Sequence, residues 1–279
     1  MTMMLFTGFL EFPKCLFSSH TLKHLTLEIS SCCTSSIRGC VPKSAWDFPV
    51  LETLNLSCLQ LGGHRDKSLD LFSKCVNLKD LTLYKCSMSY LETFTVCAPL
   101  LSNLTIKYPV YFPKVLNMVA PQLKNLTTSV DSSTCVKGLD YLQLSTAGLD
   151  SLEKVNLSLS SVLFNDEKRK FFPQLLDLFQ KLRSAKFLIL DRGIIAVLSS
   201  CQDQLLHEHC PFDKLKCLKQ KKCFTAMPTG LKNYFLESSP TATFILDLPQ
   251  KRSRQQQVVD KGGIMAKEVE EETKRQKIS

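Results

Sequence analysis

One spelling returns along this chain: L-x-x-L-x-L, with leucine at the first, fourth and sixth places. It is clean in "LKHLTL" (Leu22, Leu25, Leu27), "LETLNL" (Leu51, Leu54, Leu56), "LKDLTL" (Leu78, Leu81, Leu83) and "LSNLTI" (Leu101, Leu104, Ile106). It is degraded in "LKNLTT" (Leu123, Leu126, Thr128) and "LEKVNL" (Leu152, Val155, Leu157). The frame extends to "LRSAKF" (Leu182, Ala185, Phe187) and "LKCLKQ" (Leu215, Leu218, Gln220). Successive fourth positions lie 29, 27, 23, 22, 29, 30 and 33 residues apart. A solitary copy would mean little, because leucine is common. Copies at similar spacing over most of a 279-residue chain restrict it to architectures that stack one unit.

The two later apolar positions of each copy are two residues apart, the period at which a strand buries one face. The first leucine sits three residues upstream, in the turn that enters the strand, and drops into the same core. One unit cannot cover its own apolar face. Stacked neighbours can, so the strands pair in parallel and the leucines align as buried ladders. The interval is close to that of the leucine-rich repeat, roughly 20–29 residues. The expected fold class is therefore α/β: a leucine-rich-repeat solenoid, a right-handed, ribonuclease-inhibitor-like α/β horseshoe with the sheet on its inner side.

Between strands the chain must climb the outer side. "SLDLFSKCVN" (Ser68 to Asn77) places Leu69, Phe72 and Val76 at helical spacing. "FFPQLLDLFQKL" (Phe171 to Leu182) is a better helix, with Leu175, Leu178, Phe179 and Leu182 on one face and Pro173 suited to its first turn. "CAPLL" and "VAPQL" are too short for long helices and are expected to hold brief helical turns, their prolines serving as rigid corners.

The period of two also assigns the residues that point away from the core. These are His24, Thr26 and Glu28; Thr53, Asn55 and Ser57; Asp80, Thr82 and Tyr84; Asn103, Thr105 and Lys107; Asn125, Thr127 and Ser129; Lys154, Asn156 and Ser158. Adjacent strands lie about 4.8 Å apart, so the middle residues form a polar Thr/Asn row. Such a row also suits a sheet that merely meets water. As the exposed surface of a repeat stack, however, it is the candidate partner-binding face.

The formal net charge is +9, much of it in runs such as "KLKCLKQKK". Charge alone favours acidic partners, but no nucleic-acid motif accompanies it. The 13 cysteines are odd in number and follow no framework spacing. They read as small apolar residues in a reducing compartment. The apolar start, "MTMMLFTGFLEFPK", lacks the basic region and cleavage site of a signal peptide. No stretch of 18 apolar residues occurs, so no membrane span is expected.

"LFSSHTLKHLTL", "AWDFPVLETLNLSCLQL", "CAPLLSNLTI" and "LESSPTATFILDLPQ" resemble the plant F-box/leucine-rich-repeat family, of the FBD type, over about Phe12 to Gln250. The most distinctive piece is the "SSP-A" tail (Ser238, Ser239, Pro240, Ala242). The resemblance implies a short helix leading into a last strand there. It also implies repeats that select a protein target for ubiquitin transfer. Members carry an N-terminal F-box that docks on a Skp-type adaptor. Nothing in Met1 to Lys43 matches it, so the expectation is a chain without an F-box, meeting the adaptor only if one lies upstream. The expected layout is a partial repeat over 1–21, leucine-rich repeats over 22–220, a helix–strand cap over 221–250 and a charged disordered tail over 251–279.

Other motifs read blandly. The glycosylation-type triplets at Asn55, Asn103, Asn125 and Asn156 are by-products of the repeat's own "NLS" and "NLT". "HEHC" (His207 to Cys210), with Cys201, Cys217 and Cys223, lacks the paired spacing of a structural zinc site. Cys32 and Cys33 have no partner pattern. In the tail, "KRSR" and "KRQK" match import patches, but a solvated tail is the favoured reading. No catalytic motif is present, and no metal or cofactor is expected. The reading is a non-enzymatic, cytoplasmic or nuclear protein-recognition module, the target-binding part of a ubiquitin-ligase receptor. The alternatives are a stand-alone scaffold or decoy, and a weak nucleic-acid binder through Lys214 to Lys222.

Overall fold

The computed structural model describes residues 2–5, 14–29, 39–42, 44–62, 67–88, 91–111, 113–130, 144–146, 149–159, 165–205, 207–221 and 226–247. The tail over 251–279, Cys32, Cys33 and Cys223 lie outside them. In chain order the strands begin with β1 (Thr2–Leu5), β2 (His24–Ile29), β3 (Gly39–Cys40), β4 (Thr53–Ser57), β5 (Leu59–Gln60) and β6 (Ser68–Asp70). They continue with β7 (Asp80–Tyr84), β8 (Thr93–Cys97), β9 (Asn103–Lys107), β10 (Val115–Val119) and β11 (Asn125–Val130). The last are β12 (Leu144–Thr146), β13 (Lys154–Leu159), β14 (Phe187–Leu190), β15 (Cys217–Gln220) and β16 (Thr243–Leu246).

Ten of them form one sheet in the order β1-β2-β4-β7-β9-β11-β13-β14-β15-β16, every pair parallel. Strand order follows chain order, as stacked units require. The fourth and sixth positions of the spelling are buried and share register: Leu25, Leu54, Leu81, Leu104, Leu126 and Val155 make one ladder, Leu27, Leu56, Leu83, Ile106, Thr128 and Leu157 the next.

The first leucine of the spelling now has a mechanical reason. It closes a four-residue turn ahead of its strand. Leu51 donates its N–H to Phe48, Leu78 to Cys75, Leu101 to Ala98, Leu123 to Ala120 and Leu152 to Leu149, at 3.0–3.2 Å. Both ends of each turn are buried, and the middle pair faces outward. Pro49, Pro99 and Pro121 occupy the second place, where a fixed φ suits the turn. The corners at "CAPLL" and "VAPQL" are thus turns and not helical segments.

The same logic explains the "SSP-A" tail. Ser239, buried, donates to the Phe212 carbonyl at 2.7 Å and accepts from the Leu215 N–H at 3.2 Å. It then opens a turn closed by Ala242, with Pro240 second. The motif ties the end of helix Thr229–Ser238 to the turn ahead of β15.

At the far ends of β4, β7 and β9, Cys58, Lys85 and Tyr108 adopt φ of 60°, 50° and 52°. This left-handed residue turns the chain away from the sheet while its N–H still bonds the next unit: Cys58 to Tyr84, Lys85 to Lys107, Tyr108 to Ser129.

The outer side differs from expectation over Ser68 to Asn77. Instead of a helix there is a three-residue strand, β6, and then a turn that leaves Val76 45% exposed. It belongs to a second parallel sheet, β12-β10-β8-β6. β8 carries the same spelling as the main sheet: Leu91, Phe94 and Val96 are all buried. The chain therefore alternates between two sheets from β6 to β13. One buried cluster runs throughout. It includes an aromatic file, Phe17–Trp46–Phe72–Phe94, with centroids 4.6, 5.8 and 6.0 Å apart.

After β13 helices take over. The first runs Asn165–Lys181, six residues earlier than the sequence suggests, so exposed Pro173 is in its interior and not its first turn. Leu175, Leu178, Phe179 and Leu182 are buried, as the spacing predicts. The second, Arg192–Ser200, is capped by Asp191, whose carboxylate accepts from the Ile194 N–H at 3.1 Å and the Leu159 N–H at 2.9 Å. Burial pushes this carboxyl above its ordinary value, against those backbone donors. Gly193 is required here: a Cβ would lie 2.0 Å from the Leu159 carbonyl oxygen.

Two expectations need correction. "LRSAKF" is misregistered: β14 pairs Leu188 with Val155 and Leu190 with Leu157, so Phe187 faces outward. Ala185, not Leu182, fills the first place of the spelling, because a small residue closes that turn. The cysteine reading also holds only in part. Cys75, Cys86, Cys201 and Cys210 are buried free thiols, and burial pushes Cys75 and Cys86 up to about 12. Cys58, however, is disulfide-bonded.

Candidate functional site

The register gathers the outward residues into three rows. The first is His24, Thr53, Asp80, Asn103, Asn125 and Lys154. The second is Thr26, Asn55, Thr82, Thr105, Thr127 and Asn156; the third is Glu28, Ser57, Tyr84 and Lys107. All of these are partly or fully exposed.

Ser129 and Ser158 continue the third row but are buried, contrary to expectation. Tyr108 turns back over the end of β11, its N–H on the Ser129 carbonyl at 2.7 Å. Gly193 closes onto Leu159, the neighbour of Ser158.

The first row is a hydrogen-bonded ladder. Asn125 donates to the Asn103 side-chain oxygen at 2.6 Å, and Asn103 donates to Asp80 at 2.5 Å. In the second row Asn55 donates to Thr26 Oγ1 at 3.3 Å. These amide nitrogens already serve the sheet, so a glycan on them would compete with it. In the third row Tyr84 meets Tyr108 edge-on, centroids 6.0 Å apart, and Lys85 Nζ lies 5.6 Å from the Tyr84 ring. Two rigid aromatic rings beside an amine form a contact suited to protein recognition.

Charge is divided along the face. Outward acids, Glu28 and Asp80, are on β2 and β7; outward lysines, Lys107, Lys154 and Lys219, are on β9, β13 and β15. Where the strands begin, ion pairs join neighbouring units: Lys79–Glu52 at 2.9 Å and Lys186–Glu153 at 3.0 Å. The hydrogen bond from each lysine holds its glutamate below the ordinary carboxylate range.

The sequence frame missed the rows' continuation. Phe187, Cys217 and Thr243 extend the first row; Ile189, Lys219 and Ile245 extend the second. Reading "AKFLIL" with Ala185 as the first place recovers Phe187 and Ile189. Two atoms at this end, Asn156 Oδ1 and Ser158 Oγ, have no hydrogen-bond partner among the described residues.

Elsewhere, His207 and His209 are exposed while Cys201 and Cys210 are buried. Among the described residues no three His, Cys, Asp or Glu side chains are grouped to hold a metal, and no helix is long and apolar enough to cross a membrane.

The chain matches no protein-family model. It is similar to an F-box/LRR-repeat protein of Arabidopsis thaliana, 34% identical over 99 residues. That stretch is 36% of this chain and spans about 30% of the relative's length.

Proposed function

We propose that this chain is a leucine-rich-repeat horseshoe of the ribonuclease-inhibitor-like kind. Its outward sheet face recognises a protein, as the target-binding part of a plant F-box/LRR ubiquitin-ligase receptor. It carries out no chemistry itself and works in the cytoplasm or nucleus. The supporting observation is the face: three in-register rows of polar and aromatic side chains, drawn from consecutive units. Exposed surfaces of repeat stacks are used for docking. Affinity would concentrate in a few rigid side chains such as Tyr84, with flanking charges setting orientation. The similarity to an F-box/LRR-repeat protein supports the ligase assignment.

The test is affinity capture from plant extract on three immobilised full chains: the parent, a Thr82→Arg/Thr105→Arg double variant, and Thr95→Arg. Thr95 is on β8 of the second sheet. The double variant should lose the retained target at least about tenfold, since charge and bulk at the centre of an interface are poorly tolerated. Thr95→Arg should retain it. Equal retention by all three, or loss only with Thr95→Arg, contradicts the reading. A Skp-type adaptor that co-purifies from the native locus supports the ligase role; target without adaptor indicates a stand-alone scaffold.

A further inference from the structure

The outward face is not uniform. From β2 to β13 its first two rows are His24 followed by Thr, Asn and charged residues. At β14 the composition changes. Phe187 is 41% exposed in register between Lys154 and Cys217. Ile189 lies between Asn156 and Lys219, and Ile245, 45% exposed, lies beside Lys219. Ile189 and Ile245 are two strands apart, about 10 Å at sheet spacing. Bulky apolar side chains on one sheet face mark a contact surface.

We propose that this C-terminal part of the face, Phe187, Ile189 and Ile245 beside Lys154 and Lys219, docks an extended acidic segment of a partner protein that carries bulky apolar side chains. This deepens the protein-recognition reading above and rests on it. The apolar group selects a large hydrophobic side chain. Charge selects the rest: outward strand positions from β9 to β16 hold Lys107, Lys154 and Lys219, the last paired with Asp247 just past β16 at 3.2 Å, whereas β2 and β7 hold Glu28 and Asp80 and no lysine. An acidic segment is drawn to one half and repelled from the other, which fixes its position. A nucleic acid suits the patch less well. It offers one aromatic ring where single strands use several for stacking.

The experiment selects a phage-displayed library of random short peptides on the full chain. Enriched peptides are then measured by fluorescence anisotropy against the parent and against Phe187→Asp, Lys154→Glu and Asp80→Lys chains of matched circular dichroism. Enriched peptides should combine acidic residues with Leu, Ile or Phe. Phe187→Asp should weaken them at least about tenfold and Lys154→Glu several-fold, whereas Asp80→Lys, which removes a repelling charge, should leave them as tight or tighter. Peptides that depend on Asp80 but not Phe187 or Lys154 overturn this subsite while leaving the face as a docking surface. Enrichment of basic or uncharged peptides overturns the stated chemistry, as does displacement of the peptides by a single-stranded DNA oligonucleotide at low salt. Peptides indifferent to all three substitutions, or none enriched, overturn both this inference and the face.

Discussion

A Leu104→Asp chain should fail to fold, while Thr105→Asp, one residue along, should fold as the parent does. Leu104 is fully buried in the ladder between Leu81 and Leu126. Its replacement removes about 1.5–3 kcal/mol of apolar burial and leaves an unpaired carboxylate in the core, several kcal/mol more. A chain of this kind has about 5–15 kcal/mol in total. Thr105 points to the other side, between Thr82 and Thr127, where a polar substitution should stay within about 0.5 kcal/mol. Urea unfolding followed by circular dichroism separates the two. Similar midpoints for both variants would mean the strand does not alternate as described.

Trp46→Ala should cost about 3–5 kcal/mol, the range for a buried aromatic truncated to alanine. The ring is fully buried against Phe17 and Phe72, and its indole N–H donates to the Pro42 carbonyl at 3.1 Å. Its backbone N–H bonds the Leu71 carbonyl, so it links one unit to the next through both chain and side chain. Because Trp46 is the chain's single tryptophan, parent unfolding can be followed by its own emission and the variant by circular dichroism. A midpoint near the parent's would show that the aromatic file adds little.

The leucine frame was readable because two constraints coincide in it. A strand has period two, and a turn places its closing residue three before the first inward position. Once the inward residues are fixed, the outward ones follow with no further information, which is why His24 to Asn156 fall into rows. Legibility fails where one constraint loosens. At Ala185 a small residue closes the turn, and the neighbouring Leu182 draws the frame back by three, hiding Phe187.

Over Ser68 to Asp70 the strand is three residues long, too short to display its period, and Leu69, Phe72 and Val76 imitate a helix. β8 hides its spelling behind Phe94 and Val96. Pro173 lies inside its helix on the exposed side, whereas a rule based on position alone assigns it to the start. Ser129 and Ser158 are buried near strand ends on which Tyr108 and Gly193 of other units close, and those approaches leave no local mark in the sequence.

The central claim is a parallel stack in chain order that presents one continuous outward row. Double electron–electron resonance between spin labels on noncanonical residues tests it most directly, with one label at position 26 and the other in turn at 82, 105, 127 and 189. The distance should rise steadily, by about 4.8 Å for each strand crossed. A distance that falls or repeats along that series would contradict the stack, and with it the docking face.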